Sequence, residues 1–161
     1  MKLSGADGTS VALVPVGYEF PEATSGSMEA NWLLVDLTAT TERGTWSSRD
    51  ACLTTGEAAA VDRWLRSLAA GGVPVSLPDA DGEITPGLSF LEPDLAFSLA
   101  PGADGLKHLR VHLNYELAPP WLDMDERCAL WRFFVELALA DADILAAAAA
   151  WKAELALFPG R

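Results

Sequence analysis

Basic residues are scarce in this sequence. Eleven lysines and arginines stand against 23 aspartates and glutamates, a formal net charge of −12 over 161 residues. Proteins that grip phosphate backbones carry basic patches, so the balance argues against a nucleic-acid-binding role. It favours solubility and would attract a basic protein partner, though net charge speaks to association rather than fold. Cysteine is nearly missing: only Cys52 and Cys128 occur, in separate segments. Two such cysteines make neither a disulfide framework nor a CxxC metal site, and the expectation is two reduced thiols, buried or idle. Long hydrophobic runs are missing too. The longest, "ILAAAAAW" at 144–151, is far too short to span a bilayer. The opening "MKLSGADGTS" has no apolar stretch of the kind a signal peptide carries. A cytoplasmic protein with no membrane partner is therefore expected. There is no G-x-S-x-G, no glycine-rich phosphate loop and no H-E-x-x-H.

What is present suits one compact core. Half of the residues are hydrophobic and six are tryptophans, within the length of a single domain covering residues 1–161. Residues 9–20 read as a strand. From Leu33 the stretch 31–41 alternates, with Leu33, Val35, Leu37 and Ala39 on one face, and "ERG" turns it back into a strand over 45–53. Thr54 and Glu57 have the spacing of a capping box. After them, Val61, Trp64, Leu65 and Leu68 form the buried stripe of a helix, Asp62 and Arg66 pair on its outer side, and Gly71-Gly72 ends it. Residues 73–87 are rich in proline, glycine and aspartate and read as a loop. Two short strands follow, split at Glu92-Pro93, where proline cannot join a ladder.

"LRVHLNYEL" at 109–117 alternates without a break, which predicts a strand with Arg110, His112, Asn114 and Glu116 on a solvent-accessible face. Residues 118–127 read as an acidic loop. A further strand over 130–140 is expected to turn Trp131, Phe133, Val135 and Leu137 inward. A last helix over 142–157 should be capped by Asp141 and bury Ile144, Ala148, Trp151 and Leu155. The expected fold is α+β: a mostly antiparallel sheet of about six strands, with two amphipathic helices packed on one face and the other face polar.

Few residues carry chemistry. His108 and His112 share a strand face and Glu116 would add a third ligand, but solvated strand histidines are the simpler reading, and no metal or other cofactor is expected. Glu92 and Glu116 would make a carboxylate pair of the glycosidase type if their strands were neighbours; as ordinary strand-end charges they need no such role. Trp121 has Asp123, Asp125 and Glu126 beside it, the make-up of an interface anchor ringed by charge, although a core tryptophan tucked in after Pro119-Pro120 is the simpler reading.

Five motifs in order carry a resemblance: "NWLLVDL" at 31–37, "DACLTTGE" at 50–57 leading to Trp64-Leu65, "LSFLEPDLAF" at 88–97, "LRVHLNYELAPPW" at 109–121 and "FPGR" at 158–161. Over about residues 30–161 the chain resembles the WapI family of immunity proteins, small bacterial cytoplasmic antitoxins that protect a cell from a toxin domain delivered by its siblings. The family's Glu-Pro motif falls on Glu92 and Pro93, and its Glu-x-x-Pro-Pro-Trp motif on Glu116, Pro119, Pro120 and Trp121. The sequence departs from the pattern at Gly56, where a larger residue is usual. The resemblance offers no catalytic residue. It implies a non-enzymatic protein that binds a toxin, which the acidic balance suggests is basic. The residues expected at such an interface are Glu92, His112, Asn114, Glu116, Trp121, Asp123, Asp125 and Glu126.

Overall fold

The computed structural model describes residues 1–161. Two four-stranded antiparallel sheets replace the single sheet expected, while the α+β class stands. The first sheet runs in chain order through β1 (Lys2–Ser4), β2 (Ser10–Tyr18), β3 (Trp32–Thr41) and β4 (Gly44–Thr54). The second runs through β5 (Leu88–Ser89), β6 (Leu95–Ala100), β7 (Lys107–Leu113) and β8 (Phe134–Leu139). Helix α1 (Thr55–Ala69) joins the two sheets in sequence, a short α2 (Met124–Cys128) lies between β7 and β8, and α3 (Asp141–Leu155) closes the chain.

Alternation explains the first sheet. Leu33, Val35, Leu37 and Ala39 of β3 are fully buried, as are Val11 and Leu13 of β2. Cross-strand partners share a face, so the β4 residues opposite them also point inward: Trp46 opposite Ala39, Ser48 opposite Leu37, and Asp50 opposite Val35. An extra residue in β4 between Asp50 and Leu53 shifts the register there, as a β-bulge does. An inward-facing aspartate at a bulge on an edge strand is the first sign of the site described below.

In the second sheet, Leu95, Phe97 and Leu99 of β6 pair through Leu113, Val111 and Leu109 of β7 to Val135 and Leu137 of β8. These residues share one core with the inner face of the first sheet and with both long helices. The helices pack on each other: the indole Nε1 of Trp151, with no exposed surface, donates to the carbonyl of Ala58 in α1 at 2.8 Å. Val61, Leu65 and Leu68 are fully buried as their spacing predicts, and Asp62 pairs with Arg66 at 2.9 Å. Trp64, expected in the core, is only half-buried. It lies at the edge, its ring 5.7 Å from that of Phe97. The N-terminus of α3 differs as well. Ala140 holds the cap position without a side-chain bond, and Asp141 sits inside the first turn, where its charge favours the helix dipole.

The other face of the second sheet is not polar and open. Every residue of β6 is buried. The 73–87 loop lies along this sheet: Ser76 N–H donates to the Leu99 carbonyl at 2.8 Å, Gly87 N–H to the Phe97 carbonyl at 2.9 Å, and Arg110 reaches the Ser76 carbonyl. The β7 ladder also stops four residues earlier than the alternation suggests. Tyr115–Leu117 form a 3-10 turn, and Tyr115 has a left-handed φ of 46°. The expected strand over 130–140 begins at Phe134, because Trp131 is left-handed as well, with φ 65°. Both departures fall where chain direction must change, which period-2 patterning does not register.

Candidate partner-binding site

The Glu92-Pro93 interruption is a loop between β5 and β6, fixed at both ends. On one side, Glu57 closes the capping box of α1 through Oε2, and its Oε1 accepts the Leu91 N–H at 2.8 Å. On the other, Asn114 holds the loop by two bonds. Its backbone N–H donates to the Asp94 carbonyl and its side-chain Nδ2 to the Pro93 carbonyl, both at 2.8 Å. The Asn114 Oδ1 accepts from Trp131 N–H at 3.0 Å. One glutamate and one asparagine thus fix the backbone that presents Glu92 and Asp94.

Around this loop several carboxylates converge. Asp94 is 5% exposed, and its Oδ1 has no hydrogen-bond partner. Burial, with the negative charges of Asp50, Glu116 and Glu92 around it, pushes its carboxyl up to about 6. Asp50, half-buried on β4, is raised by burial and by Glu116. Glu19, exposed after β2, is raised by burial and by Asp50 and Glu92. The Cys52 thiol is pushed up chiefly by burial, with Asp50 and Asp94 adding to it. No ion pair of the molecule involves Glu19, Asp50, Glu92, Asp94 or Glu116. Glu92 and Glu116, singled out in the sequence, are therefore brought to one place, both exposed. Asp50, Asp94 and Glu19 complete the cluster and were not foreseen.

His112 and Asn114 do not belong to an accessible surface. His112 is fully buried and Asn114 is 1% exposed, which corrects the polar face expected for 108–116. Both faces of β7 are covered, so alternation marked a face that lies under the 73–87 loop and Trp131. His112 Nδ1 lies 2.9 Å from the Trp131 carbonyl and Nε2 lies 2.8 Å from Ser98 Oγ. A carbonyl only accepts, so Nδ1 carries the proton and Nε2 accepts from the serine hydroxyl. Burial, with a smaller effect from Arg110, pushes His112 down to about 4, so it stays neutral at pH 7. Both residues are struts of the framework.

The Trp121 segment is half framework and half surface. Trp121 is half-buried, packed edge-on against Trp46 with centroids 5.1 Å apart, with the Arg43 guanidinium 5.5 Å from its ring centroid. Its Nε1 is buried without a partner. The expected loop contains a helical turn: Asp123 caps α2, accepting from Glu126 N–H at 2.9 Å, while Glu126 accepts from Asp123 N–H at 3.0 Å. Asp123 and Glu126 are thus tied to the backbone, and Asp125 is left exposed. Arg127 anchors α2 to the Glu116 turn by donating twice to the Tyr115 carbonyl, at 3.0 and 2.7 Å. The acidic helix and the carboxylate cluster therefore adjoin through one arginine.

His108 lies apart from His112 in function. It is held between Asp104 at 3.1 Å and Glu136 at 3.3 Å, and these hydrogen bonds raise its pKa. No group of three or more His, Cys, Asp or Glu side chains is arranged to hold a metal ion. Cys52 is buried and Cys128 is exposed, and both are free thiols. Five surface clefts of the molecule are lined by none of Glu92, Asp94 and Glu116.

Comparison with known proteins places nearly the whole chain. The model of the Immunity protein WapI-like family matches residues 2–159, extending the similarity through β1 and β2. No curated protein and no solved structure matches the chain.

Proposed function

The chain belongs to the WapI-like immunity protein family, and from that membership we propose that it neutralises a cognate toxin by binding the toxin protein directly, without catalysing a reaction. The partner is a basic toxin domain met in the cytoplasm. The observation that carries this reading is the carboxylate cluster around Asp94, unpaired within the molecule and set on a loop clamped by Glu57 and Asn114. A rigid, uncompensated negative surface is what fast and selective docking of a basic partner uses. Glu92 and Glu116 belong to the interface, and Asp125 with the exposed edge of α2 extends it. His112 and Asn114 act from beneath, by holding the surface in shape.

The test is binding to the toxin domain encoded beside this protein, followed by stopped flow at low and high salt. Expected are tight binding and a steep fall of the association rate with salt, while dissociation changes less. No binding at micromolar concentration would refute the reading.

A second reading has one observation in its favour. The raised carboxyl of Asp94, beside Glu92 and Glu116, has the make-up of a general acid next to ionised carboxylates, as in glycoside hydrolysis. Against it, a sugar site encloses its ligand in a cleft, and Asp94, Glu92 and Glu116 line none of the five clefts described above. Hydrolysis of a glycoside substrate, lost in Glu116→Gln, would favour this second reading.

A further inference from the structure

We infer that the niche formed by Asp94, Asp50 and Glu116, with Glu92 and Glu19 at its rim, is a socket for a single cationic side chain of the partner, best matched by an arginine guanidinium. The inference rests on the binding reading above and deepens it by naming what docks and where.

Asp94 is the central observation. An aspartate 95% removed from water whose Oδ1 has no donor is costly unless something completes it. No cation of the chain does so: Asp94 takes part in no ion pair, and the hydrogen bond from the Glu116 backbone N–H leaves Oδ1 unpartnered. Arg127 is turned to the Tyr115 carbonyl through Nε and Nη2, and the arginines at 49, 66 and 110 are paired with Asp36, Asp62 and Glu136. The niche also cannot relax by swinging its backbone away. Asn114 fixes Pro93 and Asp94, Glu57 fixes Leu91, and Asp50 is set by its pairing with Val35 at the β4 bulge.

The shape of the charge decides the class of cation. The carboxylates come from four separate segments, the end of β2, β4, the β5–β6 loop and the 3-10 turn after β7, and they are not gathered as a metal ion would require. A guanidinium spreads its charge over a plane and presents five donors in a fixed fork, so it serves several carboxylates standing apart. It is also more weakly hydrated than an ammonium and easier to bring against a buried group.

Two measurements test the socket. In the first, the neighbouring toxin domain is bound by wild-type protein and by Asp94→Asn, a neutral isostere that keeps the backbone bonds. The expected result is a Kd about 100-fold higher in the variant, mostly through faster dissociation. In the second, carboxyl-detected NMR follows Asp94 during titration with N-acetyl-arginine amide and, separately, with its uncharged citrulline analogue. Saturable shifts at Asp94, Asp50 and Glu116 with arginine alone, lost in Asp94→Asn, support the socket. No saturable shift, equal shifts with citrulline, or a response to Mg²⁺ or Ca²⁺ in place of arginine would overturn it. The failures separate: a toxin bound equally by both proteins removes the socket and leaves the immunity reading intact, whereas arginine binding without toxin binding removes the immunity reading and leaves the socket.

Discussion

Asp94→Asn should stabilise this protein at neutral pH. The folded state holds the Asp94 carboxyl at about 6, against about 3.9 for an unperturbed aspartate. Its folded pKa is raised, so between these values the folded state binds more protons than the unfolded one. Stability from this group is therefore fully present below about pH 3.9 and lost as pH rises through about 6. At pH 7.5 the ionised group costs on the order of 3 kcal/mol. Asparagine removes the charge but leaves a buried amide to satisfy, so a net gain of about 2 kcal/mol is expected, or roughly 4–8 °C in Tm for a chain of this size. His112 works in the opposite direction. Its folded pKa of about 4 lies below the ordinary value of about 6.5, so the unfolded state takes up the proton first, and stability is lost as pH falls from about 6.5 to about 4. In the wild type the two slopes largely offset each other. In Asp94→Asn the His112 slope is unmasked, and the variant should lose on the order of 3 kcal/mol between pH 6.5 and 4. Urea unfolding of both proteins at half-unit pH steps from 4 to 7.5 measures both effects. A variant no more stable than wild type at pH 7.5, or one whose advantage persists undiminished at pH 4, would refute the reasoning.

Trp151→Ala should cost about 3–5 kcal/mol in urea unfolding, because the indole is fully buried and bonded to Ala58. Trp64→Ala should cost clearly less, since that ring lies at the edge of the core; equal losses would put Trp64 back inside it. Asn114→Ala removes both partners of the Pro93 and Trp131 backbones and should cost about 2–4 kcal/mol, with faster amide hydrogen exchange confined first to residues 91–94 and 131–132. Trp121→Phe deletes the unpartnered Nε1 and should leave stability unchanged or slightly higher; a loss above about 1 kcal/mol would show that the N–H has a partner. A thiol reagent should label one cysteine per native chain quickly, Cys128, and Cys52 only on unfolding.

The sequence was most readable where one physical rule acted alone. The capping box at Thr54 and Glu57, the stripe through Val61, Leu65 and Leu68, and the β3–β4 hairpin all follow local patterning, and the structure has them all. It was misleading where a polar alternation met an unforeseen cover. Arg110, His112 and Asn114 alternate as an exposed face would, yet the 73–87 loop and Trp131 bury two of the three. Period-2 patterning reports which residues share a face, not what lies over it. The cluster had one readable trace. Asp50 falls in phase with Trp46 and Cys52, a carboxylate on the inward side of a strand. The gathering of Asp50, Asp94 and Glu116 depends on the β4 bulge and on two left-handed turns, which no spacing announces.

Glu92 and Pro93 interrupt two strands so that a carboxylate-bearing loop can be held still. Proline removes a ladder donor and limits the backbone; Asn114 and Glu57 then supply the bonds that a sheet would have given. With the loop fixed, neither the burial of Asp94 and Asp50 nor the repulsion from their acidic neighbours can be relieved by movement, and both show instead as carboxyls that resist ionisation. A mobile acidic tail would carry the same net charge without that cost, but it would lose conformational freedom when it docked. Here the ordering is complete before any partner arrives. The acidic surface should therefore hold one shape free and bound, and the destabilisation removed by Asp94→Asn should be the same feature that a basic partner relieves on binding.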